Sequence, residues 1–140
     1  MKLHALLSAA VLTFAVGSAQ AQNAEDHLRI CDGSTAFCDS SQQQFKTWFP
    51  RAYQKDYQGQ RNVSFCLTDG CDGAVQVNKP LGCAWRLVIL ASGSPKVGST
   101  DTGFFDSRCR KFSEAETLQM KSQADALFRQ IYRKPLPKRL

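Results

Sequence analysis

The chain has 140 residues, of which 18 are Lys or Arg and 12 are Asp or Glu, for a formal net charge of +6. This is the length of a single domain, and it leaves no call for a second. The longest apolar run past the first twenty residues, Leu87-Val88-Ile89-Leu90-Ala91, is far too short to cross a bilayer, which excludes a membrane-spanning body.

Taken in chain order, the weakly basic start Met1-Lys2-Leu3-His4 leads into an uncharged apolar stretch from Ala5 to Val16, and then into Ala19-Gln20-Ala21. A small-x-small triplet after such a stretch is a cleavage signal, so residues 1–21 read as a cleavable export peptide. The mature chain would then begin at Gln22. Residues 22–39 are polar and hold Gly33-Ser34-Thr35, the composition of a loop-rich arm.

Residues 40–132 read as a helical domain. Ser40 or Ser41 can cap a first helix whose Phe45, Trp48, Phe49 and Tyr53 form one apolar stripe, and Pro50 is expected to break it into two short pieces with a turn at Gln58-Gly59-Gln60. A second helical stretch over 61–67 stops at Gly70. Asn78 and Pro80 open the next helix, which runs apolar nearly all round from Leu81 to Ala91, interrupted only by Arg86, and closes at Gly93. Asp101 or Ser99 can cap a helix carrying Phe105, Cys109 and Phe112. Ser113-Glu114-Ala115-Glu116 fits a capping box for the last helix, whose Ala124, Leu127, Phe128 and Ile131 share a face and which Pro135 and Pro137 stop. No segment alternates apolar and polar residues as a hairpin sheet requires. The expectation is an all-α domain.

All six cysteines, Cys31, Cys38, Cys66, Cys71, Cys83 and Cys109, fall after the export peptide, and an even count in a short exported chain reads as a disulfide framework. Six cysteines allow fifteen pairings. Neighbour pairing is preferred: Cys31 with Cys38, Cys66 with Cys71, and Cys83 with Cys109 as the single long bridge. Zinc is the rival use of cysteine, but the spacings are not those of C-x2-C knuckles and His27 is the one imidazole of the mature part, so no metal is expected.

The segment Asn62 to Val75, followed by Asn78 and Ala84-Trp85-Arg86, resembles a helical-hairpin repeat of the Sel-one-like family, relatives of tetratricopeptide repeats. Gly73, Val75, Asn78, Ala84 and Trp85 match that family's order of a glycine-and-valine loop, an amide and a second helix with alanine and an aromatic residue. The match covers one unit, roughly residues 60–93, with a second possible unit over 99–133 that lacks the glycine loop. The cysteines depart from the family pattern. The resemblance implies a solenoid-like, disulfide-stabilised helical-hairpin domain that binds a protein or peptide and carries no catalytic residues.

Catalytic sets are scarce. His27 lies in the polar arm beside Arg29 and reads as a solvated loop histidine, which leaves a Ser-His-Asp or Cys-His site without a well-placed base. Asp69 and Asp72 flank a cysteine-and-glycine loop and are the carboxylate pair a small hydrolase would use, while Glu114 and Glu116 are explained by capping. No P-loop or other cofactor motif is present, so no cofactor is expected.

Charge is informative once it is located. Setting aside Lys2 leaves 17 basic against 12 acidic residues, a net of +5, and Arg129, Arg133, Lys134, Lys138 and Arg139 supply all of it, because no acid follows Asp125. This basic end, with residues 133–140 expected to be extended and exposed, is the candidate dock for an anionic envelope component. Confinement of charge to one end argues against nucleic acid. The sequence therefore points to a non-enzymatic exported interaction module of a bacterial envelope or secreted fraction, periplasmic or secreted, with a protein, peptide or anionic polymer as partner and a small hydrolase as the alternative.

Overall fold

A computed structural model describes residues 23–138; the proposed export peptide and Arg139 lie outside the described residues. The order of elements is a 3-10 turn, Ala24–His27, then α1 (Cys38–Tyr53), α2 (Tyr57–Asp69), α3 (Lys79–Ala91), α4 (Ser99–Arg108) and α5 (Glu114–Tyr132). Among the described residues there is no strand beyond one isolated antiparallel bridge, Leu28 to Val75. The domain is all-α.

Helix α3 is the centre. Every residue from Leu81 to Ile89 is buried, Arg86 included, because α2, α4 and α5 all pack on it. Side-chain oxygen from Asn78 accepts the Leu81 amide at 3.1 Å to start the helix, with Pro80 in the first turn where its missing donor costs nothing. The stripe Ala124, Leu127, Phe128 and Ile131 of α5 is buried as its period requires, and the Ser113–Glu116 capping box is formed. Helix α2 ends at Gly70, left-handed at φ 97°, whose amide donates to the Cys66 carbonyl. Gly93, also left-handed, closes α3 as expected.

The α1 region departs from the sequence reading. Helix α1 starts at Cys38 rather than at a serine cap and runs unbroken through Pro50 to Tyr53. Pro50 is exposed, one turn from the end, and the turn beyond it is held by buried Phe49 and Ala52. The chain reverses at residues 54–56, not at 58–60: Lys55 takes φ 68° and the Asp56 carboxylate accepts the Gly59 amide at 2.6 Å as the cap of α2. Gly59 is a close-packing residue and not a turn residue. A β-carbon there would meet the Ala52 nitrogen at 2.9 Å and the Trp48 carbonyl at 3.1 Å, so α1 and α2 cross backbone to backbone. Gly82 does the same for α3 against the Ser64 carbonyl of α2.

The expected disulfides are all formed, Cys31–Cys38, Cys66–Cys71 and Cys83–Cys109, and no free cysteine remains. Three bridges in a chain this small point to an oxidising, extracytoplasmic environment. Among the described residues no helix is long and apolar enough to cross a membrane.

Candidate functional site

Helices α1 and α2 leave between them a groove of about 390 Å³. Phe45 lies at its floor, Trp48 and Phe65 along its sides, and Asp69 and Asp72 beside the Cys66–Cys71 bridge at its end. Phe65 is 42% exposed, an apolar ring with no cover, although it belongs to an otherwise well-buried helix. Trp48 is half-buried and carries the Arg51 guanidinium over its ring at 4.3 Å.

The end of the groove is built from unusual backbone. Residues 70–73 all have positive φ: Gly70 at 97°, Cys71 at 43°, Asp72 at 57° and Gly73 at 74°. Left-handed conformations cost a non-glycine residue roughly 1–2 kcal/mol, and two of these four are not glycine. The bridge from Cys71 back to α2, together with the amides of Ala74 and Val75 donating to the Cys71 and Gly70 carbonyls, holds the turn. Its effect is to place the Asp72 carboxylate where the Ser41 hydroxyl of α1 donates to it at 2.8 Å. The two sequence-predicted carboxylates thus share one groove, with polar Ser41 and Gln44 on the opposite wall.

His27 is not a solvated loop residue. The arm folds back along α1 and the 71–78 loop: the Gln42 amide donates to the Arg29 carbonyl, the Arg29 amide to Ala74, and the Gln76 amide to the His27 carbonyl. The imidazole is thereby laid against Phe49 at 5.3 Å and Phe45 at 6.2 Å between ring centroids, with Nε2 buried and unpartnered. It lines a separate hollow with Gln76 and Asn78, so it is absent from the lining of the carboxylate groove. Burial pulls its pKa below the ordinary 6.5, against a smaller opposing pull from Asp26. A folded-state value below the unfolded one means that the native state binds fewer protons, so stability is present above about pH 6.5 and is lost as pH falls toward the folded value. Urea unfolding between pH 7.5 and 5 is expected to show this loss. His27→Gln should flatten it, because the depressed carboxylates Asp32, Asp56, Glu116 and Asp125 titrate below that window.

One group of polar residues had no sequence signal beyond the lone Arg86. Asp101, which the sequence offers as a cap, stands three residues inside a helix capped by Gly98 and is fully buried. Its Oδ1 accepts from Arg86 at 2.8 Å and faces Arg61 Nε at 3.3 Å; its Oδ2 accepts from the Tyr57 hydroxyl at 2.7 Å and the Gly98 amide at 3.2 Å. The Arg86 guanidinium also stacks over Phe104 at 4.1 Å. Burial pulls the Arg86 pKa down and Asp101 pulls it back; arginine stays charged through such shifts. Two cations, a carboxylate and a phenol close on one another here, which ties α2, α3 and α4 together.

The described cations of the basic end are exposed, but the segment that carries them is anchored to the body at Leu136. Arg129 pairs with Asp125 at 2.7 Å, while Arg133, Lys134 and Lys138 are exposed. Arg133 ends α5 in the left-handed conformation, φ 60°, and the chain then turns back so that the Leu136 amide donates to Asp125 at 2.9 Å and its side chain packs near Leu87. A half-buried leucine and a charge-assisted hydrogen bond are together worth about 1–2 kcal/mol. Truncation after Tyr132 is therefore expected to lower the melting temperature by roughly 4–8 °C. Leu136→Ala should account for about half of that in a thermal melt.

No family model matches the chain, and neither the curated proteins nor the solved structures yield a match.

Proposed function

We propose that the mature chain, released by cleavage after Ala21, is a non-enzymatic interaction module of the periplasm or secreted fraction that receives a polypeptide segment in the α1–α2 groove. The observation that carries this reading is the uncovered Phe65 ring beside Trp48 in a groove that ends on two carboxylates. Apolar walls and an acidic end suit a segment with an aliphatic or aromatic side chain followed by Lys or Arg. The resemblance of residues 60–93 to a Sel-one-like unit supports the same class of partner. The export peptide and three bridges support the compartment.

Trp48 supplies the test, since Trp85 is fully buried and silent to an occupant of the groove. A library of basic-apolar peptides should contain members that shift Trp48 emission saturably. Phe65→Ala should abolish that shift, and Asp69→Asn with Asp72→Asn should weaken it and remove its salt dependence. If no peptide shifts the emission, and the same double variant instead abolishes a hydrolytic activity of the protein, the groove belongs to a hydrolase using Asp69 and Asp72.

A further inference from the structure

We infer that a second hollow, with a lining distinct from that of the peptide groove, is an anion site that takes a phosphate group. It has a volume of about 360 Å³ and is lined by Lys79 at the start of α3, Ser107 and Arg108 at the end of α4, Lys111 beyond it and Glu116 in the first turn of α5, over Thr68 and Phe112. The start of α3, the end of α4 and the turn beyond it bring three cations to one concavity. Among the described residues none of the three is in a salt bridge, whereas Arg51, Arg61, Arg86, Arg110 and Arg129 all are.

The acid in the hollow is already committed. Glu116 accepts from the Ser113 amide and hydroxyl, and those bonds, ahead of the attraction of Lys79, hold its carboxyl low. It offsets one charge and leaves two. Arg108 and Lys111 have an ordinary explanation, since cations are favoured at the end of α4. Lys79 is the first residue of α3, the positive end of that helix's dipole, where a cation is disfavoured, and Glu116 is the acid that faces it. A helix of 13 residues that begins on lysine, facing an arginine and another lysine across a hollow, is electrostatically unbalanced until an anion enters. Arginine and lysine together supply the forked and point donors that a phosphate's oxygens accept from. The site is rigidly based, because the Cys83–Cys109 bridge fastens α3 to the residue next to Arg108. It differs from the basic tail, which lines another hollow with Leu87 and Asp125.

The test is a titration of the disulfide-bonded protein with inorganic phosphate and pyrophosphate, followed by amide resonances, and in parallel with vesicles of phosphatidylglycerol in phosphatidylcholine. Saturable shifts at Lys79 and residues 107–111 are expected, tighter for pyrophosphate and weakened by salt. Each of Lys79→Gln, Arg108→Gln and Lys111→Gln should weaken binding about three- to tenfold, and the triple variant should abolish it. All three side chains are on the surface, so the folded spectrum should survive. Arg108→Lys should retain more affinity than Arg108→Gln. Vesicle binding that is lost in the triple variant identifies the phosphate as a lipid headgroup; binding of the free anions with no vesicle binding identifies a soluble phosphate. Failure of both probes overturns the inference. So does binding that survives the triple variant and disappears on truncation after Tyr132, which would place anion recognition in the tail.

Discussion

Asp101→Ala is expected to destabilise the protein by about 3–5 kcal/mol, because it leaves Arg86, with a side chain 3% exposed, charged and unpaired in the core. The loss should exceed what one hydrogen bond implies, since four donors from two helices and a loop converge on one carboxylate. Denaturant unfolding measures it. Arg86→Met should be costly alone for the complementary reason, yet combining it with Asp101→Leu should recover most of the stability, because a buried ion pair replaced whole by apolar side chains is often neutral. A double variant no better than the worse single one would show that Tyr57 and Arg61, and not Arg86, hold the value of the cluster.

Removing the long bridge by Cys83→Ala with Cys109→Ala is expected to cost about 3.5 kcal/mol, the chain-entropy value for closing a segment of this length. Its sequence separation is 26, against 7 and 5 for the other two, and its cysteines are 0% and 2% exposed. For a domain whose whole net stability is on the order of 5–15 kcal/mol, this is a shift of more than about 10 °C in melting temperature. Cys31→Ala with Cys38→Ala should cost less, because that bridge fastens only the arm to the first turn of α1. Equal losses for the two pairs would mean that α4 is held to α3 by Asp101 alone and that the long bridge is redundant.

The parts of this fold that sequence reading recovers are those written locally. Asn78 with Pro80, Gly70, Gly93 and the Ser113–Glu116 box act within four residues of themselves, so the bounds of α3 and α5 and the end of α2 are legible, as is the neighbour pairing of cysteines. What it misses is set by distant partners. Gly59 reads as a turn because nothing local reveals that α1 will lie against it. Asp101 reads as a cap because its partners Arg86 and Tyr57 stand 15 and 44 residues away. A signal is present: a single arginine inside an apolar helix demands a buried acid. His27 and Leu136 read as solvated from the polarity of their neighbours, yet each packs an apolar surface against the body. Asp69 and Asp72 were legible as residues but not as a groove, since Trp48 and Phe65 come from opposite walls. The three cations at 79, 108 and 111 are scattered in the sequence, and only the fold gathers them.

The bridges join first to second, third to fourth and fifth to sixth cysteine, with no bridge spanning another. A chain threaded through a translocon and oxidised as it emerges would meet each correct partner before the next cysteine appears. Such vectorial oxidation asks only for a fast oxidant and leaves nothing for a shuffling enzyme to repair. On the proposed export route, cells lacking disulfide isomerase should accumulate as much of the native protein as cells that have it.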